Sequence, residues 1–297
     1  MQYKGHIPGQ QRTDKQHSYH ISGREKKVEK NARTITDRKE LVDTIPCVLF
    51  NHDDLDFVTG SPERKRFFID QSLSMFNPSY IDLMRQYKKI LKNRNMLLKK
   101  KQSMQKEDIS LLDVFDIQLA ESGAEVVKHR EKTIWEFNQV FAVLYQEVSG
   151  ISGVNIDYSP SWKENDTEKI MIHLSEKRKM DILMGTSMSG PHRDRIRFMQ
   201  GKNNFVLTAS TGQKRLLSLI LRTAQALFYT KLTGRYPVLL MDDVLLELDM
   251  EKRQRFTAVL PEYDQLFCTF LPDEPYGMYK KTSTCIYTIQ NGSWHEQ

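Results

Sequence analysis

The stretch Tyr236-Pro237-Val238-Leu239-Leu240-Met241-Asp242-Asp243 decides the fold class. A short continuous apolar run, with proline before it and carboxylates after it, reads as a buried strand, because a half-exposed strand would alternate. Two carboxylates placed directly after such a strand lie at the carboxyl edge of a sheet, where open α/β sheets bind ligands. Asp242 is a candidate to hold Mg²⁺ directly or through water, and Asp243 to polarise an attacking water. The same residues also read as a strand running into an Asp-rich turn. Val244-Leu245-Leu246-Glu247-Leu248-Asp249 adds a further acidic pair, and a helix-like segment from Glu251 to Leu260 follows.

About one helix length upstream lies Ser210-Thr211-Gly212-Gln213-Lys214-Arg215, which opens an amphipathic stretch reaching Leu232. A small-residue turn at the start of a helix leaves unpaired N–H groups facing outward with the helix dipole behind them. That arrangement suits an anion such as a phosphate. An ordinary capped core helix accounts for the same residues.

Further upstream the chain changes character. Ile45 to Phe50 is another short apolar run read as a buried strand, ending in the turn-like Asn51-His52-Asp53-Asp54. Ser61-Pro62-Glu63 gives a helix start, with an N-cap, a proline at the first helical position and an acidic first turn. Asn77-Pro78 gives a second, leading an amphipathic helix to about Lys101. Leu111 to Val148 repeats that periodicity after the polar turn Gln102–Asp108, so an antiparallel helical hairpin or small bundle is expected. Strands are expected at Val154–Tyr158, Lys169–Leu174, Gln265–Phe270 and Thr284–Ile289. Apolar alternation at Tyr19–Ile21 and around Val28 fits edge strands or a poorly anchored tail. Strands, a helical insertion, then alternating strand and helix predict an α/β or α+β domain carrying a helical lobe. The expected division is residues 1–60, 61–150 and 151–297.

The 297 residues are 39% hydrophobic and carry 44 Lys+Arg against 38 Asp+Glu, a formal +6 that excludes a strongly acidic surface. Cys47, Cys268 and Cys285 fit neither a disulfide framework nor a zinc site, which points to a reducing interior. No apolar run approaches the roughly 20 residues that span a bilayer. Met1 to Gln16 lacks the apolar core of a secretory signal. The chain therefore reads as soluble and cytoplasmic, without a membrane partner. Arg85 to Lys106 holds Arg85, Lys88, Lys89, Lys92, Arg94, Lys99, Lys100, Lys101 and Lys106 and no acidic residue. On a helix this run could contact a DNA backbone by phosphate charge, or be a solvated face. His192 is read as a hydrogen-bonding residue before a catalytic base. Trp135, Trp162 and Trp294 suggest packing.

Taken together, the segments resemble the ATP-binding-cassette class of ATPases in its SMC and RecF branch. Ser210–Gln213 looks like the signature motif, Val238–Asp243 like Walker B and Leu246–Asp249 like the D-loop. Ser189-Gly190-Pro191-His192-Arg193-Asp194 is similar to a run typical of the RecF family of recombination and repair proteins. So are Val48–Leu55 at the Q-loop position, Arg64–Asp70, the Arg94-Asn95-Leu97-Leu98 pattern, and Asp116–Ala120 with Gly123. The likeness runs from about residue 15 to residue 290.

That resemblance implies an ABC-type ATPase head, incomplete at its N-terminus, with an inserted helical lobe. ATP and Mg²⁺ are the implied cofactors. Asp243 would be catalytic and Asp242 would hold the metal. Ser210, Gly212 and Gln213 would reach ATP held by the other subunit of a nucleotide-dependent homodimer. Asp249 falls at the D-loop, Thr269 at the switch and Asp53 at the Q-loop position, with Arg193 and Asp194 as possible site-lining groups. Lys88, Lys89, Lys92, Arg94 and Lys99 would contact duplex or gapped DNA. The RecO and RecR proteins are the implied partners, in support of recombinase loading.

Departures from the family pattern accompany the likeness. No Gly-x-x-x-x-Gly-Lys-Ser/Thr run occurs, and Gly201-Lys202-Asn203 has neither the upstream glycine nor the hydroxyl. The resemblance places a phosphate loop much further upstream than the 47 residues preceding Val48. Leu246 replaces a usual Ser, Arg195 a frequent acid and Asp53 a Glu or Gln. The chain as written is therefore expected to bind and hydrolyse ATP poorly. Three classes follow: an ATP-gated DNA clamp, a degenerate RecF-like protein that binds DNA or a partner without turnover, and an ATPase subunit of another cassette branch.

Overall fold

The computed structural model describes residues 17–22, 25–30, 33–35, 37, 39–42, 46–100, 103, 105–271, 276–280 and 282–296. The readings of Met1–Gln16, Ile45 and Lys101, and of the Leu246 side chain, lie outside the described residues. Strands β1 (His17–Ser22), β2 (Glu25–Lys30) and β3 (Arg33–Thr34) form an antiparallel sheet with Tyr19 opposite Val28. After the short α1 (Lys39–Val42) come β4 (Cys47–Phe50), α2 (Asp56–Thr59), α3 (Pro62–Phe76), α4 (Pro78–Leu98) and the 44-residue α5 (Lys106–Ser149). Then follow β5 (Val154–Ser159), α6 (Thr167–Met184), β6 (Arg195–Gln200), β7 (Asn203–Asn204), α7 (Phe205–Thr208) and α8 (Thr211–Thr233). The chain closes with β8 (Val238–Met241), α9 (Met250–Ala258), β9 (Gln265–Cys268) and the hairpin β10 (Tyr287–Gln290) and β11 (Ser293–Glu296).

The deciding strand is β8, the centre of a parallel sheet ordered β4-β8-β9 with Leu239 between Val48 and Leu266. Among the described residues, only one face of this sheet is sealed. Val48, Phe50, Leu239 and Met241 are buried, whereas Leu49 is 41% and Phe267 51% exposed. The apolar runs thus serve two faces of unequal exposure, where a strand buried on both faces was expected. Across the buried face lie α8 and the second half of α5, whose Phe137, Phe141, Leu144 and Tyr145 share one core with Leu216–Leu221, Phe228 and the sheet. Phe68, Ile69, Leu73 and Tyr80 of α3 and α4 join the same core, so it runs unbroken across residues 60 and 150.

Capping explains the helix starts. Ser61 accepts a hydrogen bond from Arg64 N at 3.4 Å ahead of Pro62, and α5 stops at Gly150 with φ 73°, where a left-handed residue is needed. The first part of α5 packs antiparallel on α4 and encloses a second core of Tyr87, Ile90, Leu119, Val126 and Trp162. Close approach requires Gly123 there, since a Cβ would lie 2.4 Å from the Trp162 ring.

Two strand expectations need correction. Lys169–Leu174 is helical, part of α6, which starts where Asp166 caps Glu168 N at 2.8 Å. Its Ile170, Ile172 and Leu174 alternate, but Ile170 and Leu174 are buried and Ile172 is 60% exposed, the i, i+4 pattern of a helix face. Of Thr284–Ile289, only Tyr287 onward is strand. It pairs with β11 through Asn291 and Gly292 at φ 49° and 79°, an Asn-Gly hairpin turn that escaped the reading of the sequence. Among the described residues no helix is long and apolar enough to cross a membrane.

Candidate nucleotide and nucleic-acid sites

Parallel pairing carries three chain segments to one edge. Asp242 N donates to Phe50 O at 3.0 Å and Thr269 N to Met241 O at 2.9 Å, so β4, β8 and β9 end together at Asn51, Asp242 and Thr269. There the Thr269 hydroxyl lies 3.0 Å from Asp242 Oδ1 and 3.0 Å from Asp243 Oδ1, and accepts from Asp243 N at 2.9 Å. A hydroxyl has one proton, so it satisfies one carboxylate at a time and leaves the other to water or a cation. Asp243 is held at φ 53°, a left-handed conformation that Asp tolerates better than most residues. At the same edge the Asn51 Oδ1 atom is buried without a hydrogen-bond partner among the described residues.

Asp53 is exposed, while its neighbour Asp54 is buried and pairs with Arg222 of α8 at 2.7 Å. Arg222 also donates to Gln71 of α3 and to Gln225, whose amide reaches Ser72. Arg215 donates to His52 O at 2.8 Å. These contacts tie α8 to the end of β4, and sequence reasoning missed them. The available signal was an arginine inside the apolar run Leu216–Leu221, Ala224, which can be buried only if paired.

Ser210 caps α8: its oxygen accepts from Gln213 N at 3.3 Å, and Gln213 Oε1 accepts from Ser210 N at 2.7 Å. Gly212 is exposed, and a Cβ there would meet nothing within 4 Å. Packing inside this chain therefore gives no reason for glycine at that position. Asp249 caps α9 at Lys252 N, and its hydrogen bond from the Lys252 side chain holds the carboxyl below the usual range.

The basic run divides. Lys88, Lys89, Lys92 and Lys99 are exposed with no ion pair among the described residues. Arg85 pairs with Asp37 at 2.6 Å and Lys100 with Asp108 at 2.6 Å. Arg94 is a correction: it is fully buried, bonded to Asp116 at 2.6 Å and Asp181 at 2.7 Å, and cannot meet DNA. Lysines on either side made it look like part of a surface.

Asp194 is likewise no site-lining group. Its carboxylate is buried, accepting from Arg130 at 2.8 Å, Ser161 N at 2.8 Å and the Tyr158 hydroxyl. Arg130 reaches across to Asp70 at 2.9 Å. His192 bonds to the Tyr87 hydroxyl at 2.7 Å and Ser187 O at 3.0 Å, and burial pushes its imidazole down to about 4, so it is neutral at pH 7. Arg193, by contrast, is exposed.

No family model matches the chain. The "DNA replication and repair protein RecF" of Treponema pallidum (strain Nichols) is 49% identical over 271 residues, which is 91% of this chain and 75% of that protein. The protein of the same name from Clostridium perfringens (strain 13 / Type A) is 34% identical over 266 residues, 88% of this chain and 72% of that one. Among solved structures, that of the recombination mediator protein RecF with ATP in the RecFOR pathway superposes with a TM-score of 0.80 at 26% identity, covering 95% of this chain and 76% of that one. The Smc head domain from Pyrococcus furiosus gives 0.50 at 15% identity and covers 95% and 71%, a likeness of fold.

Proposed function

The chain belongs to the RecF family and has the α/β fold of ABC-type ATPase heads, and from that premise we propose that it binds DNA in replication and repair and supplies half of a composite nucleotide site. The observation that carries this reading is the Asp242–Thr269–Asp243 cluster at the carboxyl end of β8. Two carboxylates, a hydroxyl and the unpartnered Asn51 amide oxygen are hard oxygen donors of the kind Mg²⁺ takes. Bound there, the ion would offset phosphate charge. Asp242 would hold it, Asp243 would orient water, and Thr269 would position both carboxylates.

Ser210, Gly212 and Gln213 would present the start of α8 to ATP held by a second copy, with Asp249 and Asp53 flanking the shared site. The open space over Gly212 suits such an approach. Lys88, Lys89, Lys92 and Lys99 would meet DNA, on a helical lobe spanning 61–150 between ATPase segments 1–60 and 151–297. RecO and RecR proteins are the partners this reading implies. Turnover by this chain without help is not part of it: Gly201-Lys202 makes the turn between β6 and β7, and Lys202 runs into strand β7 rather than into the first turn of a helix.

The test uses the 297-residue chain with a fluorescent gapped duplex at low salt, and phosphate release measured beside Asp242→Ala. DNA binding should be seen, with phosphate release equal in the two proteins. Absence of DNA binding would overturn the DNA reading, and DNA-stimulated release lost in Asp242→Ala would reveal an ATP site complete in one chain.

A further inference from the structure

Beside the buried Arg130–Asp194 pair lies a cleft of about 390 Å³ between the end of β5 and the turn that leads into β6. Lys163, Arg193 and Arg195 supply its charge, Ser159 and Ser161 its hydroxyls. All three cations are exposed, and none has an ion pair among the described residues. Strand register shows why Arg195 is left over. Arg197 faces Asp157 across β5 and pairs with it at 2.9 Å, whereas Arg195, two positions earlier on the same face, faces Ser159. The carboxylate between Arg193 and Arg195 in sequence, Asp194, is sealed inside against Arg130 and Tyr158. Charge neutralisation is therefore directed inward, and the two flanking arginines remain uncompensated.

The walls are preformed. Gly190 N donates to Ser161 Oγ at 3.1 Å, Ser161 N to Asp194 Oδ1 at 2.8 Å and Trp162 Nε1 to Ser189 Oγ at 3.1 Å, which fastens one loop to the other. A convergent set of cations on a rigid frame, with no carboxylate lining it among the described residues, is a site for a phosphate oxyanion. Its apolar lining is Pro160 and Met188, and among the described residues it has no aromatic face on which a base could stack. Backbone phosphate fits this lining better than a nucleoside. The cleft also adjoins the basic helix: Tyr87 of α4 bonds to His192, beside Arg193, and Lys88 and Lys89 follow Tyr87 directly.

We propose that this cleft binds a phosphodiester group of a nucleic-acid backbone through Lys163, Arg193 and Arg195, extending the track begun by the α4 lysines. This rests on the DNA reading above and adds a site that the basic helix does not contain. The contacts carry no base information, so they set position and salt dependence rather than sequence preference.

The experiment compares the full chain with Lys163→Gln/Arg193→Gln/Arg195→Gln and with Arg197→Gln, binding a fluorescent gapped duplex across a salt series. Circular dichroism checks that each variant is folded, and Arg195→Gln alone serves if the triple variant is not. The triple variant should bind roughly tenfold or more weakly at low salt, with a log–log salt slope shallower by about 2 to 3. Arg197→Gln, whose charge is already matched by Asp157, should stay within about twofold. Wild-type binding with an unchanged triple variant would overturn the cleft and leave the α4 reading standing. No wild-type binding would overturn both. A parallel arm measures the thermal shift given by inorganic phosphate. A shift lost in the triple variant while DNA affinity holds would make the cleft a free-phosphate site and overturn the backbone assignment.

Discussion

Arg130 and Arg195 are both neighbours of Asp194, the first in space and the second in sequence. Arg130 is buried and shares Asp194 and Asp70, while Arg195 is next to Asp194 in sequence and faces water. The contrast extends through the molecule. Arg94 and Arg130 join α4 and α5 to the segment 181–194 along a buried ionic seam, and Arg222 does the same for α8 and the end of β4. At the carboxyl edge and in the cleft, Asp242, Asp243, Arg193 and Arg195 have no charge partner among the described residues. Charge with a buried partner builds the frame, and charge without one is available to a ligand.

The sharpest way to break this comparison is to remove one member of the seam. Arg130→Met removes the guanidinium that Asp70 and Asp194 share, leaving only Arg66 nearby, and should cost about 3–5 kcal/mol in chemical denaturation. Adding Asp70→Asn and Asp194→Asn should return much of that loss, because the penalty lies in the uncompensated carboxylates. A single variant that unfolds at the wild-type midpoint would show that the seam does not hold the helical hairpin to the strands.

What could be read beforehand depended on whether the signal was local. The Ser210–Gln213 cap and the β8 run ending in Asp242-Asp243 lie within a few residues of their own causes, and their positions were legible. Arg94 was not, because its partners Asp116 and Asp181 stand 22 and 87 residues away and the lysines around it imitate a surface. Alternation of Ile170, Ile172 and Leu174 imitated a strand because three residues are too few to separate a period of 2 from one of 3.6. The cleft was invisible for another reason: it depends on Arg195 lying opposite Ser159, and register is set by pairing between strands distant in sequence.

His192 offers a smaller effect at the boundary between the two regions, bonded to buried Tyr87 on one side and followed by exposed Arg193 on the other. Its ring faces the cations of Arg66, Arg94 and Arg193, and burial holds it at about 4, below the ordinary 6.5. Above pH 6.5 it is neutral in both the folded and the unfolded chain. Between 6.5 and 4 only the unfolded chain takes up the proton, so folding stability falls as the pH is lowered through that window. The loss is at most about 3–4 kcal/mol. Urea midpoints of wild type and His192→Gln from pH 7 to pH 4 isolate it from the carboxylates, and curves that run parallel would place the imidazole in water.

The smallest effect separates fold from function most cleanly. Ser210 is exposed and its oxygen serves Gln213 N, so Ser210→Ala should cost about 1 kcal/mol and Ser210→Asp only a few tenths, since aspartate caps a helix as well as serine does. The reciprocal bond from Ser210 N to Gln213 Oε1 survives either change, because it uses the backbone of residue 210. Buried arginine and exposed serine would then differ in kind: losing the first leaves charges stranded, losing the second only returns one N–H to water. An aspartate that destabilised as much as alanine would mean that residue 210 does not cap α8, and that its hydroxyl has no structural duty to share with a nucleotide.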